Sequence, residues 1–527
     1  MVCAQCGERE AIVFIRRSGG RDDGCDIVLC ESCARNRGIV AAKGNLGLNF
    51  DELIGNGLDP SQPRAVTSLC PSCGTSLAQI LREGRLGCAS CADSFSGELV
   101  RFFRPAPGVR EEGRSLLPEA VEGAGKAEAD PAELEDRLAK ALTMEEYEKA
   151  ALLRDAIERS KKLGSVPERQ VFPREFPLRG DSFFRAPGPD SDVVLWSSAT
   201  LSRGLEGIPF PGSPNGSSSP SRSFLLERLV GGGAWRSSTM QELGPVLRRS
   251  LAERGLLPRS YAAEDEAVLA SKPRAGIFAL LDEGDHLRLR AFSPGFDPGI
   301  ALATALSESE SIGRSVNFAY RAELGWICAR ISSCGLGASI SALVHIPAIS
   351  ASGLRDRLFR ALMADGAVIR GFYSTSEDSS GSLYEISVEP SDHDSLKSMV
   401  RSLDSAVSKA TQSERRARTE ISEKERIALV DAEGRAFGIA LHCSLLGAEE
   451  AAGIVSTLRL ASLRGSLPGV EPRVLASLLL SLGPAALAYA RGLDEHPEGR
   501  KAELLRSEAV KAALAGAEYT GIQEEDA

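Results

Sequence analysis

The sequence predicts a multidomain chain: two small four-cysteine zinc ribbons, a helical hairpin, an α+β domain and a C-terminal all-helical domain. Three observations carry this. The chain has 527 residues, enough for roughly three or four folded units at about 100 to 200 residues each. Nine of its 12 cysteines fall before residue 100, and eight of those stand in four Cys-x-x-Cys pairs. Beyond about residue 180 the pattern becomes mixed strand and helix, and from Ser395 onward it is almost wholly helical.

The composition supports folding in water. With 43% hydrophobic and 25% charged residues, it excludes wholesale disorder, collagen-like repeats and a multispan membrane protein. The 62 basic and 72 acidic side chains leave a formal charge of −10. That field repels phosphate polymers, so a protein partner is expected and nucleic acid is not, absent a local basic face. The greasiest stretch, Val474 to Ala490, is interrupted by Ser477, Ser481, Gly483 and Pro484 and reads as a core helix, with no membrane partner. No basic-then-apolar leader follows Met1, so the expected location is cytoplasmic.

In chain order, the first ribbon (1–40) holds Cys3, Cys6, Cys30 and Cys33, and the second (67–104) holds Cys70, Cys73, Cys88 and Cys91. A two-residue gap lets both thiolates of a pair face one ion, and two pairs complete a closed tetrahedron of sulfurs with no open position. Two structural zinc ions are expected. Disulfides would need an oxidising compartment. Units this small bury little core, so metal binding supplies much of their folding energy. Cys25 is left unpaired, and Cys328, Cys334 and Cys443 read as core residues.

Residues 41–66 read as a linker and 105–130, rich in Pro, Gly, Ala and Glu, as a flexible acidic linker. A helical hairpin is predicted over 131–163 from the helical spacing of Leu134, Leu138, Leu142, Tyr147, Ala150, Ala151 and Ile157, with Thr143 as a cap. Alone it cannot bury both apolar faces, so it should pair with a partner's equivalent. After a linker at 164–184, the α+β domain spans 185–412, with a mobile loop at 212–220 and strands near 276–280, 286–292, 342–346 and 382–388. The helical domain takes 413–527.

These residues carry a resemblance. The first 162 look like the McsA-type activator of bacterial protein arginine kinase: the ribbon segments Cys70-Pro71-Ser72-Cys73-Gly74 and Gly87-Cys88-Ala89-Ser90-Cys91, then a UVR motif ending Tyr147-Glu148-Lys149-Ala150-Ala151-Leu152-Leu153-Arg154-Asp155. Ala92 replaces the family's usual aromatic. From about residue 185 the chain resembles the McsB-type kinase, an ATP:guanido phosphotransferase. The landmarks are Val194 to Pro211, Asp282-Glu283-Gly284-Asp285-His286-Leu287-Arg288, Gly325 to Pro347, and Arg370-Gly371-Phe372-Tyr373. Gly434 to Ile439 and Leu458-Arg459-Leu460 are similar to the kinase's C-terminal domain. The resemblance implies a UVR hairpin and a guanido-kinase-like fold, an antiparallel sheet flanked by helices, joined in one polypeptide. Such a fusion raises the partners' effective concentration.

The resemblance also implies a degenerate site. Arginine phosphorylation needs fixed cations around the ATP phosphates with magnesium, and a carboxylate that takes the proton of a guanidinium whose pKa exceeds about 12. The family's five phosphate-contacting arginines fall here on Ser198, Thr200, Arg288, Ser339 and Arg370, so Arg288 and Arg370 are the residual ATP contacts. The substrate-orienting glutamate position, after Glu283, is Gly284. A second glutamate is replaced by Thr375, with Glu377 or Asp378 close enough to substitute for it, and the reactive cysteine is replaced by Arg330. Asp285, His286 and His345 read as structural, and the tail's phosphoarginine-binding pair falls on Pro497 and Glu498.

The expectation is therefore a non-catalytic regulator, a fused activator and pseudokinase in arginine phosphorylation, stress response and regulated proteolysis. Its expected partners are a protein arginine kinase, Clp-type protease machinery, or both, with a UVR-motif partner and a homodimer through the C-terminal domain. ATP and Mg enter only if the kinase-like site retains nucleotide. The alternatives are a divergent active protein arginine kinase and a UVR-type nucleic-acid repair accessory protein, which the ribbons' lack of a basic cluster disfavours.

Overall fold

The computed structural model describes residues 68–99, 102–103, 106, 108–116, 188–216, 218–230, 235–272, 276–372, 381–390, 395–420 and 423–520, with four short strands before them. Among these, β1 (Val13–Ile15) pairs antiparallel with β2 (Ile27–Leu29), and β3 (Ile39–Ala42) with β4 (Asn45–Leu48). The second pair stands where the sequence predicts the 41–66 linker to begin. The UVR hairpin, the first four zinc ligands and Cys25 lie outside the described residues.

The central domain is built on one eight-stranded sheet. Its strands are β5 (Val194–Arg203), β6 (Arg236–Thr239), β7 (Val268–Lys272), β8 (Ile277–Leu281) and β9 (Leu287–Pro294). A separate ladder of β10 (Tyr320–Arg321) and β11 (Gly325–Trp326) intervenes before β12 (Ala338–His345), β13 (Val368–Gly371) and β14 (Leu383–Val388). The order is β13-β14-β12-β5-β9-β8-β7-β6, antiparallel at every junction. The four predicted strand runs correspond to β8, β9, β12 and β14, with shifted ends.

Alternation sorts the two faces. Ala199 and Leu201 of β5, and Leu287, Leu289 and Ala291 of β9, join one core with helices Pro298–Gly313 and Leu396–Thr419. Trp196 of β5 and Phe292 of β9 join a second core with helix Met240–Glu253 and the C-terminal helices. Helix Met240–Glu253 starts at a capping box: Thr239 Oγ1 accepts from the Glu242 N–H at 3.1 Å, and the Glu242 carboxylate accepts from the Thr239 N–H at 2.8 Å.

The zinc-ribbon residues Cys73, Leu77, Ile80, Leu86 and Phe95 belong to the first core, continuous with the sheet domain. A unit too small to build a core alone obtains one by docking.

Several expectations require correction. Helix Leu396–Thr419 runs across the predicted boundary at 412/413: past it, buried Glu414 accepts from the Ala348 and Ile349 N–H groups and Ala417 packs against the same core as Leu403 and Val407. Within the predicted flexible stretch 105–130, Val109–Ser115 forms a helix with Val109 and Gly113 buried. Its Glu112 carboxylate accepts from the Leu396 and Lys397 N–H groups, both at 3.0 Å, capping the long helix. The predicted loop at 212–220 already enters helix Ser218–Val230. Val474 to Ala490 is two helices, Pro472–Leu479 and Pro484–Arg491, bent by 115°. The extended Gly483 and Pro484 in the first turn start the second. No single described helix is long and apolar enough to cross a membrane.

Candidate functional site

The zinc site is the most complete constellation. Cys70 and Cys73 precede helix Leu77–Glu83, which Ser76 caps by accepting from the Gln79 N–H at 3.1 Å; Cys88 and Cys91 flank the start of helix Ser90–Ser94. All four thiols are buried, with sulfurs mutually within 4.8 Å. The closest approaches are 3.7 Å for Cys70–Cys88, 3.4 Å for Cys73–Cys91 and 3.8 Å for Cys88–Cys91. Four sulfurs about 2.3 Å from a tetrahedral zinc lie about 3.8 Å apart, so the donor set fits that ion. Gly87 is required here, since a Cβ would lie 1.9 Å from Thr75 Oγ1 and 2.6 Å from Cys73 Sγ.

A polar recess of about 250 Å³ empty of side chains lies on the sheet's other face. Ser198 and Thr200 of β5, Arg288 of β9, Ser339 of β12 and Arg370 of β13 all line it, so the five positions singled out in the sequence come together. Period-two alternation brings Arg290, Ser341, Glu385 and Ser387 onto the same face, with Glu389 beyond β14. Each guanidinium has a carboxylate beside it: Arg288 pairs with Glu283, Arg290 lies 3.8 Å from Glu385, and Arg370 lies 3.8 Å from Glu389. Burial works against the charge on Arg288, yet Glu283 outweighs it and holds this guanidinium above its ordinary value. Burial lowers Arg290, with Glu385 only partly offsetting it. The Nε atoms of Arg288 and Arg290 are buried without hydrogen-bond partners.

Arg288 also lines an adjoining recess of about 130 Å³, with Glu283, Gly284, Asp285, Arg330 and Arg85. Gly284 has φ +80°, a conformation that favours glycine. Asp285 is buried and accepts from the Ala329 N–H at 2.6 Å. Asp282, in the same wall, accepts from the Ser221 hydroxyl at 2.8 Å, and burial pushes its carboxyl up to about 6. His286 accepts from the Leu205 N–H at 3.0 Å and donates from Nε2 to the Pro209 carbonyl at 2.9 Å, stacked on Phe210. Burial lowers its pKa, which suits this neutral tautomer. Thr375, Glu377 and Asp378 lie outside the described residues.

The zinc ribbon closes over this recess. The Leu86 N–H donates to the Ala329 carbonyl at 2.7 Å, the Ile331 N–H to Gly84 at 3.0 Å and the Phe210 N–H to Gly87 at 2.7 Å. Arg85 bridges Arg330 as an added antiparallel pair. Asp93 forms an ion pair with Arg321 at 2.6 Å. Sequence reasoning missed Arg85, Arg290, Glu385 and Glu389. Arg290 was findable, two residues after Arg288 in the alternating run Leu287-Arg288-Leu289-Arg290; the others meet the site only through folding.

The sheet and its recess define a phosphotransferase-type fold carrying a docked zinc finger. Residues 223–417 match the ATP:guanido phosphotransferase C-terminal catalytic domain, 68–111 the McsA central zinc-finger domain and 426–525 the protein-arginine kinase McsB C-terminal domain. The chain thus joins a segment similar to the McsA zinc finger to segments similar to the ATP:guanido phosphotransferase catalytic domain and the McsB C-terminal domain. It is 26% identical over 346 residues to the protein-arginine kinase of Moorella thermoacetica, covering 64% of this chain and 98% of that protein. It is 28% identical over 335 residues to the protein-arginine kinase of Halothermothrix orenii, covering 62% and 94%. A lombricine kinase crystal structure aligns at 18% identity and a TM-score of 0.38, covering 53% of this chain and 80% of that one.

Proposed function

We propose that the chain is a non-catalytic regulator of protein arginine phosphorylation, in which the guanido-kinase domain is a docking body for the fused zinc finger. One observation carries the reading. The three guanidiniums of the phosphate-side recess are each matched by a carboxylate, Glu283, Glu385 or Glu389, where a nucleotide would need uncompensated charge. Position 284 has no carboxylate to receive a proton, and Arg330 and Arg85 place like charge where a guanidinium would enter. The partner is a protein arginine kinase or Clp-type protease machinery in the cytoplasm, with a UVR-motif partner and self-association through the helical domain.

Adding the full zinc-loaded chain to a protein arginine kinase should change that enzyme's rate on a protein substrate. An unchanged rate across stoichiometric and excess additions contradicts the proposal.

A second reading, a divergent active protein arginine kinase, is favoured by the relatives' names and by the unpartnered Nε donors of Arg288 and Arg290, which a phosphate oxygen could satisfy. On that reading ATP binds and Glu283 leaves Arg288 to act as base. Loss of ATP binding in Arg288→Ala supports it, and no binding by the unaltered chain eliminates it.

A further inference from the structure

A cavity separate from both recesses lies where helix Val109–Ser115, the arm that follows the zinc finger, crosses helix Pro298–Gly313. Its floor is Arg203, which is 1% exposed. Nε of Arg203 donates to Ser309 Oγ at 3.1 Å, and Nη1 to the carbonyls of Ser202 at 2.7 Å and Gly337 at 2.9 Å. The guanidinium stacks 4.1 Å from the Trp326 ring centroid. Its hydrogen bonds thus go to one hydroxyl and two carbonyls, all neutral, and no carboxylate among the described residues forms an ion pair with it. Burial pulls its pKa down to about 10, which leaves it charged at neutral pH.

The rim is also cationic. Arg110 comes from the arm and Arg314 from the end of helix Pro298–Gly313, while Arg114 and Glu310, the one acid of the lining, pair with each other at 3.2 Å. The remaining walls include Val109, Leu306, Val316 and Phe318, so one side is apolar and aromatic. The cavity holds about 240 Å³.

We propose that this cavity binds a small phosphomonoester: the phosphoryl group meets Arg203, Arg110 and Arg314, and a short apolar body lies against Phe318 and Trp326. A buried guanidinium that keeps its charge while meeting only neutral acceptors is costly unless an anion offsets it. Phosphate is the oxyanion best matched to several convergent forks. Since Arg110 belongs to the arm and Arg203 and Arg314 to the sheet domain, the ligand fastens the zinc finger to its platform. This inference is independent of whether phosphoryl transfer occurs.

Calorimetric titration of the full zinc-loaded chain with inorganic phosphate and with phenyl phosphate, at ionic strength fixed by chloride, tests it. Phenyl phosphate should bind about tenfold or more tighter than inorganic phosphate, because it alone uses the apolar wall. The double variant Arg110→Gln, Arg314→Gln changes two exposed side chains and should weaken phenyl phosphate by about tenfold or more. Arg370→Ala, in the other recess, should leave the affinity as it was. No binding of either probe, equal affinity for both, or loss on Arg370→Ala with no loss in the double variant overturns the proposal.

Discussion

Arg85 of the zinc finger donates from Nη2 to the backbone carbonyl of Gly284 at 3.3 Å, across 199 residues of sequence. The tip of a metal-organised turn thus rests on the residue that stands where the family resemblance places a catalytic carboxylate. The contact makes the finger a wall of the recess, so its folding and the site's shape are coupled.

Removing that side chain should loosen the wall without disturbing the metal. Arg85→Ala deletes one partly buried hydrogen bond, worth about 0.5 to 1.5 kcal/mol net. Urea denaturation should register the loss, while zinc content per chain stays constant because residue 85 is not a ligand.

Metal analysis should find two zinc ions per chain, one from each cysteine set. Cys73→Ser should cost one ion, and Gly87→Ala should do the same, since its new methyl collides with Thr75 Oγ1 and Cys73 Sγ. Hydrogen exchange should then show faster exchange at Phe210 and Ile331, whose N–H groups donate to ribbon carbonyls. An undiminished metal content in both variants contradicts the site.

Glu112→Ala should destabilise the sheet domain by about 1 kcal/mol, within a range of about 0.5 to 2, because it uncaps helix Leu396–Thr419. Glu112→Gln should lose less, keeping an acceptor but not the charge. Thermal unfolding of the two variants against the unaltered chain checks the order.

Stability should depend on pH through His345. It is buried, accepts from Arg459 Nη1 at 2.6 Å and donates from Nε2 to Ser456 Oγ at 2.8 Å, joining β12 to helix Ala448–Arg464. Burial, then the Arg459 and Arg418 charges, hold its pKa well below the ordinary value. The unfolded chain therefore takes up a proton near about pH 6.5 that the folded chain refuses. The stability linked to this group is full above that pH and lost as pH falls below it. Between pH 7.5 and 5 the unaltered chain should lose more stability than His345→Gln; parallel losses would contradict this.

Local sequence made part of this legible. Cysteine spacing marks the Cys70, Cys73, Cys88, Cys91 cluster because a two-residue knuckle is a local geometry. Alternation in 286–292 marks β9 because side chains on a strand change face at every step. What escaped depends on distant partners. Glu112 could not be read as a cap without Leu396, 284 residues away. Nor could Glu385 and Glu389 be read as counter-charges for Arg290 and Arg370 until β13, β14, β12, β5 and β9 lay side by side. The break between Leu479 and Pro484 was written in Gly483-Pro484, but the apolar run concealed it.

The most direct measurement is transfer of labelled γ-phosphate from Mg-ATP to an arginine-rich protein by the full zinc-loaded chain alone, read as acid-labile phosphate. Incorporation should not rise above the enzyme-free blank at any chain concentration. Incorporation that scales with the chain and disappears in Arg288→Ala would contradict the account.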